Sequence, residues 1–266
     1  MDKLNLILIF NKAHEHFYEN YFFPSIKDDF VIHKKILDED TEYKIANFKD
    51  NEWVQDKTFN IFEYERLLFI KSLLENNPNN KFLYLDIDIQ FLGSIKTDIL
   101  NKLCNKDLYF FKGGSGGINL GGVAINSTKK TINFINEFAN ELKKDDHTNG
   151  IQKVLKLSKL LNEHPQNPKK TNKFNLDWDY LDEQKYCCGH MIAYTTKYEL
   201  WKKIPKNIIL HHANGTTGIK NKIKQLEYVK NNYNKRNNLT YLFKTIFWKF
   251  KFYLYKKKYL YSKYER

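Results

Sequence analysis

The chain has 266 residues, of which 42% are hydrophobic, and a formal net charge of +13. This length and apolar content suit one sizeable domain, and no apolar run approaches the length of a membrane-spanning helix. The three cysteines, Cys104, Cys187 and Cys188, lack the spacing of a zinc site, and an adjacent pair suits a disulfide framework poorly. We therefore expect a reducing compartment, the cytoplasm, with peripheral attachment to a membrane as an option.

The positive charge raises the question of a nucleic-acid partner. Only three of the 44 basic residues are arginine: Arg66, Arg236 and Arg266. A protein that reads nucleic acid uses arginine for bidentate contacts with bases and phosphates. We therefore expect no nucleic-acid partner.

The first ninety residues alternate between strand and helix patterns. The patterns predict strands at Leu4–Phe10, 30–37 and 82–89, and helices at 12–22 and 58–74. The N-terminal apolar run is also too short for the core of a signal peptide. This alternation predicts an α/β fold with a largely parallel sheet, in which ligands bind at the carboxyl ends of the strands.

Two carboxylates interrupt the apolar run Phe82–Gln90. Asp86 and Asp88 are two residues apart, so on a strand their side chains point to the same side. A divalent cation is the simplest way to keep both ionised, and oxygen ligands favour Mg²⁺ or Mn²⁺, which commonly bring phosphate with them. The alternative is a strand end at which Asp86 caps a turn and Asp88 is solvated.

The middle of the chain carries a glycine cluster between two strand patterns. Strands are predicted at 108–112 and 118–126, with Gly113 to Gly117 between them and Gly121-Gly122 inside the second. The glycines indicate either a close approach of backbone or ligand, or a flexible loop. Helices are predicted at 128–142 and at 151–161. The second lies within a long 143–186 segment of the kind that forms lids or binding loops, or else is disordered.

A second polar constellation follows the short apolar strand predicted at 208–210. His211 and His212 come next, and then Gly215 and Lys220. A histidine at a strand end can be a third metal ligand, while glycines and a lysine can bind phosphate. Either histidine could instead be a core or surface residue, and the spacing alone leaves the choice between them open.

Four segments follow one another along the chain: Tyr64-Glu65-Arg66-Leu67, Tyr84-Leu85-Asp86-Ile87-Asp88, Ile118-Asn119-Leu120-Gly121-Gly122-Val123, and His212-Ala213-Asn214-Gly215 with Lys220. In this order they resemble segments of the nucleotide-diphospho-sugar transferases with the GT-A fold, most closely the retaining family 8 type. The second segment is similar to the Asp-x-Asp region of that family. The resemblance covers about residues 4 to 222. It implies a Rossmann-like mixed, mostly parallel sheet flanked by helices.

The resemblance also implies a site for a nucleotide-sugar donor, with a UDP-sugar expected. Asp88 and His212, with help from Asp86, would hold Mn²⁺ or Mg²⁺ against the diphosphate, and Asp86 would also reach donor hydroxyls. His212 fits the family spacing better than His211. Gly215 and Lys220 would contact the phosphates.

The same resemblance implies residues around the base and the transferred sugar. Phe10 and Asn11 would approach the base, while Arg66 and Asn119 would orient the sugar. Gln152 would lie near the anomeric carbon. Reaction with retention at a hydroxyl of a glycan, glycolipid or glycoprotein, as a hexosyltransferase, follows from the resemblance alone.

Two departures from the family pattern affect these expectations. The usual Asp-Gln-Asp triplet is reduced to Ile151-Gln152-Lys153, so an acidic acceptor-side group must come from elsewhere. The candidates are Asp145, Asp146, Asp177 and Asp179, and we expect Asp179 to take a catalytic part. Lys220 lies slightly further from the glycine than the family lysine does.

Two other classes of function remain open from the sequence. Paired aspartates on a basic protein also suit a metal-dependent phosphoesterase or nuclease, although a two-metal centre needs more ligands. A catalytically silent module that binds a sugar nucleotide is the third possibility.

The sequence predicts two regions, a transferase-like domain over 1–237 and a basic, aromatic helical extension over 238–266. The extension has eight basic residues and one acidic residue, a net charge of +7 (8 − 1), and apolar residues at helical spacing. Such a helix suits an anionic membrane surface. The alternative is a helix packed on the domain with its lysines in solvent, because one apolar stripe serves either purpose.

Overall fold

The computed structural model describes residues 3–37, 47–49, 52–54, 57–114, 117–144, 150–162, 172–216 and 218–264. Asp145 and Asp146, two of the acceptor-side candidates, lie outside these ranges.

A six-stranded sheet forms the centre of the fold, in the order β2-β1-β5-β8-β7-β9. All its strands are parallel except β8, which is antiparallel to both neighbours. The six are β1 (Leu4–Asn11), β2 (Val31–Leu37), β5 (Lys81–Leu85), β7 (Leu108–Lys112), β8 (Ile118–Asn126) and β9 (Trp178–Tyr180). The mixed, mostly parallel sheet confirms the predicted fold class.

Smaller sheets complete the strand inventory of the described residues. The short hairpin is β3 (Asn47–Lys49) with β4 (Glu52–Val54), and a second two-stranded pair is β11 (Ala193–Thr195) with β12 (Leu200–Trp201). A three-stranded sheet has the order β10-β13-β6 and comprises β6 (Ile89–Phe91), β10 (Tyr186–Cys188) and β13 (Leu210–His212).

Helices cover both faces of the central sheet. The α-helices are α1 (Glu15–Phe17), α2 (Lys57–Asn76), α3 (Lys96–Leu103), α4 (Lys129–Lys143), α5 (Gly150–Leu161), α6 (Gly189–Ile192), α7 (Ile219–Asn232) and α8 (Leu239–Tyr264). The predicted helix at 12–22 is a series of short turns: 3₁₀ at Lys12–His14, then α1, then a π turn at Tyr18–Phe22. A further 3₁₀ turn, Phe23–Ser25, follows the π turn, and another, Tyr233–Lys235, follows α7.

The core lies on the two faces of the central sheet, and alternate residues of β1 belong to each. Leu8 belongs to a core cluster that includes side chains of α1, α3 and α7, whereas Ile9 belongs to a second cluster with side chains of α2, α4 and α5. Every residue of β1 is buried, because a strand at the centre of a parallel sheet has both faces covered. This explains why the strand reads as an almost continuous apolar run.

One strand prediction needs correction. The strand expected at 82–89 ends at Leu85, and the chain crosses to the smaller sheet before β6 begins at Ile89. Asp86 and Asp88 therefore lie on a connection between two sheets, not on one strand. The apolar pattern continues through the connection because Ile87 is also buried there.

The C-terminal helix α8 begins at Leu239 and packs against the region around β12. Its start is close to the expected boundary at 237/238, and the division into two regions stays a prediction. None of the described helices combines the length and apolar composition needed to cross a bilayer.

Candidate metal centre

The connection between β5 and β6 is anchored on both sides by backbone hydrogen bonds. The Asp86 amide donates to the Gly121 carbonyl of β8 at 2.9 Å, and the Ala213 amide donates to the Asp88 carbonyl at 2.9 Å. Within the smaller sheet, Ile89 pairs with His212. The connection is therefore fixed between the central sheet and the end of β13, and this places both carboxylates beside His212.

His212 lies between the two carboxylates. Its Nε2 is 3.4 Å from Oδ2 of Asp86 and 3.2 Å from Oδ1 of Asp88. One ligand atom from each of the three residues lies within 4.8 Å of the other two. Asp88 and His212 are buried, whereas about a third of the Asp86 side chain is exposed, so the group opens to solvent on the Asp86 side.

The charges of this group are balanced by one another. Burial opposes ionisation of Asp86, but hydrogen bonding and the charge of His212 lower the pKa of its carboxyl. Burial also opposes the charge on Asp88, yet Lys222 and His212 hold its pKa well below the usual range. For His212 burial favours the neutral ring, but Asp88 and Asp86 raise its pKa well above the ordinary value. The carboxylates and the imidazole of this group therefore stabilise one another in a buried site.

The donor set fits a divalent cation. Two carboxylate oxygens and one imidazole nitrogen are ligands that Mn²⁺ and Mg²⁺ sites use, and the imidazole favours the transition metal. No other group of three such side chains lies close enough to hold an ion anywhere in the described ranges.

His211 faces away from this group, because neighbouring residues of a strand point to opposite sides. Its ring is fully buried, and its Nδ1 lies 3.0 Å from Nε2 of Gln90. Burial and the neighbouring His212 lower the pKa of His211 to about 3. Of the two histidines, His212 alone is placed beside the carboxylates.

The absence of a side chain at Gly121 leaves room for His212 and Asp86. A Cβ at this position would lie 2.0 Å from Cε1 of His212 and 2.7 Å from Oδ2 of Asp86. At Gly122 a Cβ would lie 2.4 Å from the Phe111 ring. At these two positions of β8, other side chains therefore approach the glycine backbone closely, and the interpretation as a flexible loop does not apply.

The lysine at the site is Lys222, which the sequence reasoning missed. Its Nζ donates to Oδ2 of Asp88 at 2.5 Å. Lys220, two residues earlier on α7, has an exposed side chain. Positions two apart on a helix point in different directions, and the spacing of glycine and lysine could not locate the start of α7, which Gly218 precedes with a φ of 80°.

A buried network of hydrogen bonds and ion pairs connects Asp86 with helices α2 and α5. The Tyr84 hydroxyl donates to Oδ1 of Asp86 at 2.5 Å and accepts from Nη1 of Arg66 at 3.3 Å. Nη1 of Arg66 is 3.8 Å from the same Asp86 oxygen. Arg66 also donates to Glu63, whose Oε2 lies 3.0 Å from Nζ of Lys153.

The network keeps Arg66 charged and fixed. Burial alone would lower the pKa of Arg66, but Glu63, Tyr84 and Asp86 raise it above the ordinary value. Burial lowers the pKa of Lys153, against the opposing charge of Glu63. Glu63 and Lys153 were not among the predicted site residues, since each reads from the sequence as an ordinary polar position of a helix.

Three other predicted residues lie at the carboxyl edge of the sheet. Asn119 accepts from the Gly121 amide at 2.8 Å, and its Nδ2 is 3.5 Å from the Cys188 sulfur. Asn11 is buried at the end of β1, where its side chain contacts His14. Gly215 has a φ of 69° in the loop that follows β13.

The remaining predicted residues do not join the site or cannot be placed. The Phe10 ring is buried and stacks on Tyr18, with 5.6 Å between ring centroids. Asp179 accepts from the Tyr180 amide on the edge strand β9, and no contact with the metal-centre residues is found for it in the described ranges. Asp177 pairs with Lys106 at 2.7 Å. Gln152 lies on α5, but its side chain falls outside the described part of the chain.

A scan against protein-family models and a search of curated proteins found no match to this chain. Solved structures do match. The glycosyltransferase GlyE of Streptococcus pneumoniae TIGR4 is 14% identical over 86% of this chain and 64% of its own, with a TM-score of 0.49. A glycosyltransferase involved in glycosylation of the major capsid of PBCV-1 is 13% identical over 85% and 99%, also at 0.49.

The bifunctional glycosyltransferase WbbM has a TM-score of 0.51 at 11% identity, over 88% of this chain and 52% of its own. The chain thus spans less than two thirds of GlyE and about half of WbbM. At these identities the likeness concerns the fold. Together with the mixed sheet and its helical layers, it shows that this chain has the GT-A type fold of the glycosyltransferases.

Proposed function

We propose that the protein is a metal-dependent glycosyltransferase that uses a nucleotide-diphosphate sugar as donor. The observation that carries the proposal is the meeting of Asp86, Asp88 and His212 at the carboxyl end of β5, with Lys222 beside them. Ligands of open α/β sheets bind at this edge. An acidic group that would hold a cation, next to the ammonium group of a lysine, suits a diphosphate.

Asp86, Asp88 and His212 would hold the cation, with Mn²⁺ or Mg²⁺ as the expected ion. When bound, it would neutralise charge on the diphosphate leaving group as a Lewis acid. Asp86 is the most exposed of the three and already accepts from Tyr84. Its position suits contact with donor hydroxyls as well.

Lys222 takes the role first expected of Lys220. Its ammonium group pairs with Asp88 beside the carboxylates that would hold the cation. Lys222 would donate a charge-assisted hydrogen bond to a phosphate oxygen of the donor.

Arg66 and Asn119 would orient the transferred sugar. The Arg66 guanidinium is held by Glu63 and Tyr84, so it presents a fixed set of donors near Asp86. Asn119 is fixed by the Gly121 amide. Asn11, at the end of β1, remains the candidate for contact with the base; a UDP-sugar donor, a hydroxyl acceptor on a glycan, glycolipid or glycoprotein, and retention complete the proposal.

The proposal is tested by incubating the protein with Mn²⁺ and a panel of nucleotide sugars and measuring release of the nucleoside diphosphate. We expect slow release with one donor, faster release with a hydroxyl acceptor, and loss of both in Asp88→Asn. Asp177→Asn is the matched control, because Asp177 pairs with Lys106 on the surface. Its activity should equal that of the unmodified protein.

Two results would contradict the proposal. Cleavage of DNA or of a phosphoester, with no turnover of any nucleotide sugar, would identify a phosphoesterase. Binding of a nucleotide sugar without turnover, whatever acceptor is supplied, would identify a silent binding module.

A further inference from the structure

The C-terminal helix α8 carries apolar side chains on two opposite faces. The inner face packs on the domain. Tyr241 is buried, and its hydroxyl lies 2.8 Å from the hydroxyl of Tyr228 and accepts from the Ile204 amide at 2.9 Å. About two and three turns further along, Trp248 packs edge-on against Tyr228, and Phe252 stacks on Tyr194 with 4.7 Å between centroids.

The opposite face of α8 is exposed and is also apolar. We call it the outer face; it comprises Phe243, Ile246, Phe247, Phe250, Tyr253 and Leu254, whose exposed fractions lie between 48% and 69%. These positions recur at three- and four-residue intervals and so form one continuous stripe. The sequence showed that α8 has helical apolar spacing, and the structure shows that one apolar stripe is used for packing while a second is left uncovered.

Lysines border the outer face on both sides. At about 100° of rotation per residue, Lys244 and Lys251 fall on one flank of the stripe and Lys249 and Lys256 on the other. All four are exposed. Lys251 also lies 5.2 Å from the centre of the Phe247 ring. The outer face is thus an aromatic stripe between two rows of positive charge.

Solvent exposure of such a stripe is unfavourable, because burial of a large apolar side chain away from water lowers the free energy. A contiguous exposed apolar patch on a soluble surface marks a docking site. The arrangement of the charges identifies the occupant. Lysines on both flanks of an aromatic stripe match a helix that lies in the plane of a bilayer, with the rings among the acyl chains and the ammonium groups at the phosphates.

We propose that the outer face of α8 binds the surface of an anionic phospholipid bilayer. The helix lies along the membrane with its inner face still packed on the domain. Tyr253 sits at headgroup depth, where its hydroxyl stays hydrated. The full-length protein is therefore a peripheral membrane protein whose attachment needs both apolar burial and negative lipid charge. This inference does not depend on the activity proposed above.

The test is flotation of the protein with vesicles, made either of phosphatidylcholine alone or with about 30–40% phosphatidylglycerol added. At about this anionic content, electrostatic binding is easily measured. We expect strong binding only to the anionic vesicles, and weaker binding as salt is raised. The triple variant Phe243→Ser, Phe247→Ser, Phe250→Ser should lower the partition coefficient by at least about tenfold.

Two further variants separate the contributions. Leu155→Ser removes an equally exposed apolar side chain from α5 and should leave vesicle binding unchanged. Lys244→Gln with Lys249→Gln keeps the stripe and should reduce the preference for anionic vesicles. Because the triple variant changes exposed side chains, its thermal unfolding should match that of the unmodified protein.

Three outcomes would overturn the proposal. One is absence of binding to anionic vesicles. Another is binding that the triple variant retains in full. The third is a dimer in solution that the triple variant converts to a monomer while vesicles bind neither, which would show that the outer face is covered by a second copy of the chain.

Discussion

Asp88 lies between two basic side chains, His212 on one side and Lys222 on the other. One carboxylate therefore contacts both a residue that would help to hold the cation and the lysine that would contact a phosphate. The assignment of Lys222 follows directly from this contact.

The two lysines at the start of α7 provide a matched pair. We expect Lys222→Ala to reduce turnover of the nucleotide sugar by about 10- to 100-fold, since a charge-assisted hydrogen bond contributes about 1.5–3 kcal/mol. Lys220→Ala removes the same charge from an exposed position and should change turnover by less than about twofold. Steady-state kinetics with both variants checks the assignment. Equal losses would contradict it.

Gly121 is expected to be indispensable for the site. In Gly121→Ala the new methyl group would lie 2.0 Å from His212 and must displace its ring or the Asp86 carboxylate. We expect Mn²⁺ binding, measured by titration calorimetry, to fall by at least about tenfold, in line with the sensitivity of metal sites to ligand position. Gly114→Ala is the control, because its nearest neighbour would be a side-chain atom of His190 at 3.1 Å. Unchanged Mn²⁺ affinity in Gly121→Ala would show that His212 is not a ligand.

His14 should make the free energy of unfolding depend on pH. Burial, with the nearby Lys222, lowers its pKa to about 4 in the folded protein. The unfolded chain takes up a proton below the ordinary value of 6.5, so the stabilisation present above pH 6.5 is lost as the pH falls towards 4. The loss at pH 5 is at most about 2 kcal/mol. Urea unfolding of His14→Gln should show a smaller drop in stability between pH 7.5 and pH 5, and an identical drop would contradict the assignment.

Helix α2 and helix α5 meet the metal centre through a buried line of alternating charge, from Lys153 through Glu63 and Arg66 to Asp86. Lys153 lies at the position where the sequence resemblance led us to expect an acidic residue of an Asp-Gln-Asp triplet. Glu63 supplies the negative charge that this lysine and Arg66 both need. The network therefore links the departure at position 153 to the orientation of Arg66.

Removing the charge of Glu63 should deprive the buried Lys153 and Arg66 of the carboxylate that they share. We expect Glu63→Gln to lower the free energy of unfolding by about 3–5 kcal/mol, the usual loss when one partner of a buried pair is removed. Glu65→Gln, two residues away on the same helix, breaks only the partly exposed pair with Lys35 and should cost about 0–1 kcal/mol. Chemical denaturation of both variants gives the two values. Similar values for the two would show that the buried network contributes little.

Elements with a strong apolar pattern were predictable from sequence, and their exact ends were not. β1, β7 and β8 lie where their apolar runs lie, and α4 starts at the capping residue Thr128. The strand before Asp86 was extended too far, since the apolar run continues through a crossing between two sheets. Helix α7 was not predicted, because its mixed lysine and apolar sequence has a weak pattern.

The sequence predicts those members of the candidate site whose residue type and local position indicate a chemical role. Two aspartates after an apolar strand and a histidine beside a glycine loop are visible in the sequence. Glu63 and Lys222 are not, because each contacts a residue that is distant in sequence. Lys153 is 90 residues (153 − 63) from Glu63, and Asp88 is 134 residues from Lys222. Long-range pairing of this kind follows from the fold and leaves no local signal.

For the molecule as a whole, the two sheets and the carboxyl edge between them define one site, and α8 adds a separate surface. The basic residues that give the net charge of +13 lie along α8, at exposed positions elsewhere and at the site. We expect Mn²⁺ together with the correct nucleoside diphosphate to raise the unfolding temperature more than either alone, since each stabilises only the folded protein. Thermal shift measurements with Asp88→Asn should show no such combined effect, and an equal shift in the variant would place the ligands elsewhere.

The central claim is that one divalent ion is held by Asp86, Asp88 and His212 and contacts a diphosphate. Anomalous scattering from a crystal grown with Mn²⁺ and UDP tests it most directly. We predict a single peak about 2.0–2.3 Å from a ligand atom of each residue, with phosphate oxygens completing the coordination. A manganese peak elsewhere, or a diphosphate bound without contact to these three side chains, would contradict the account.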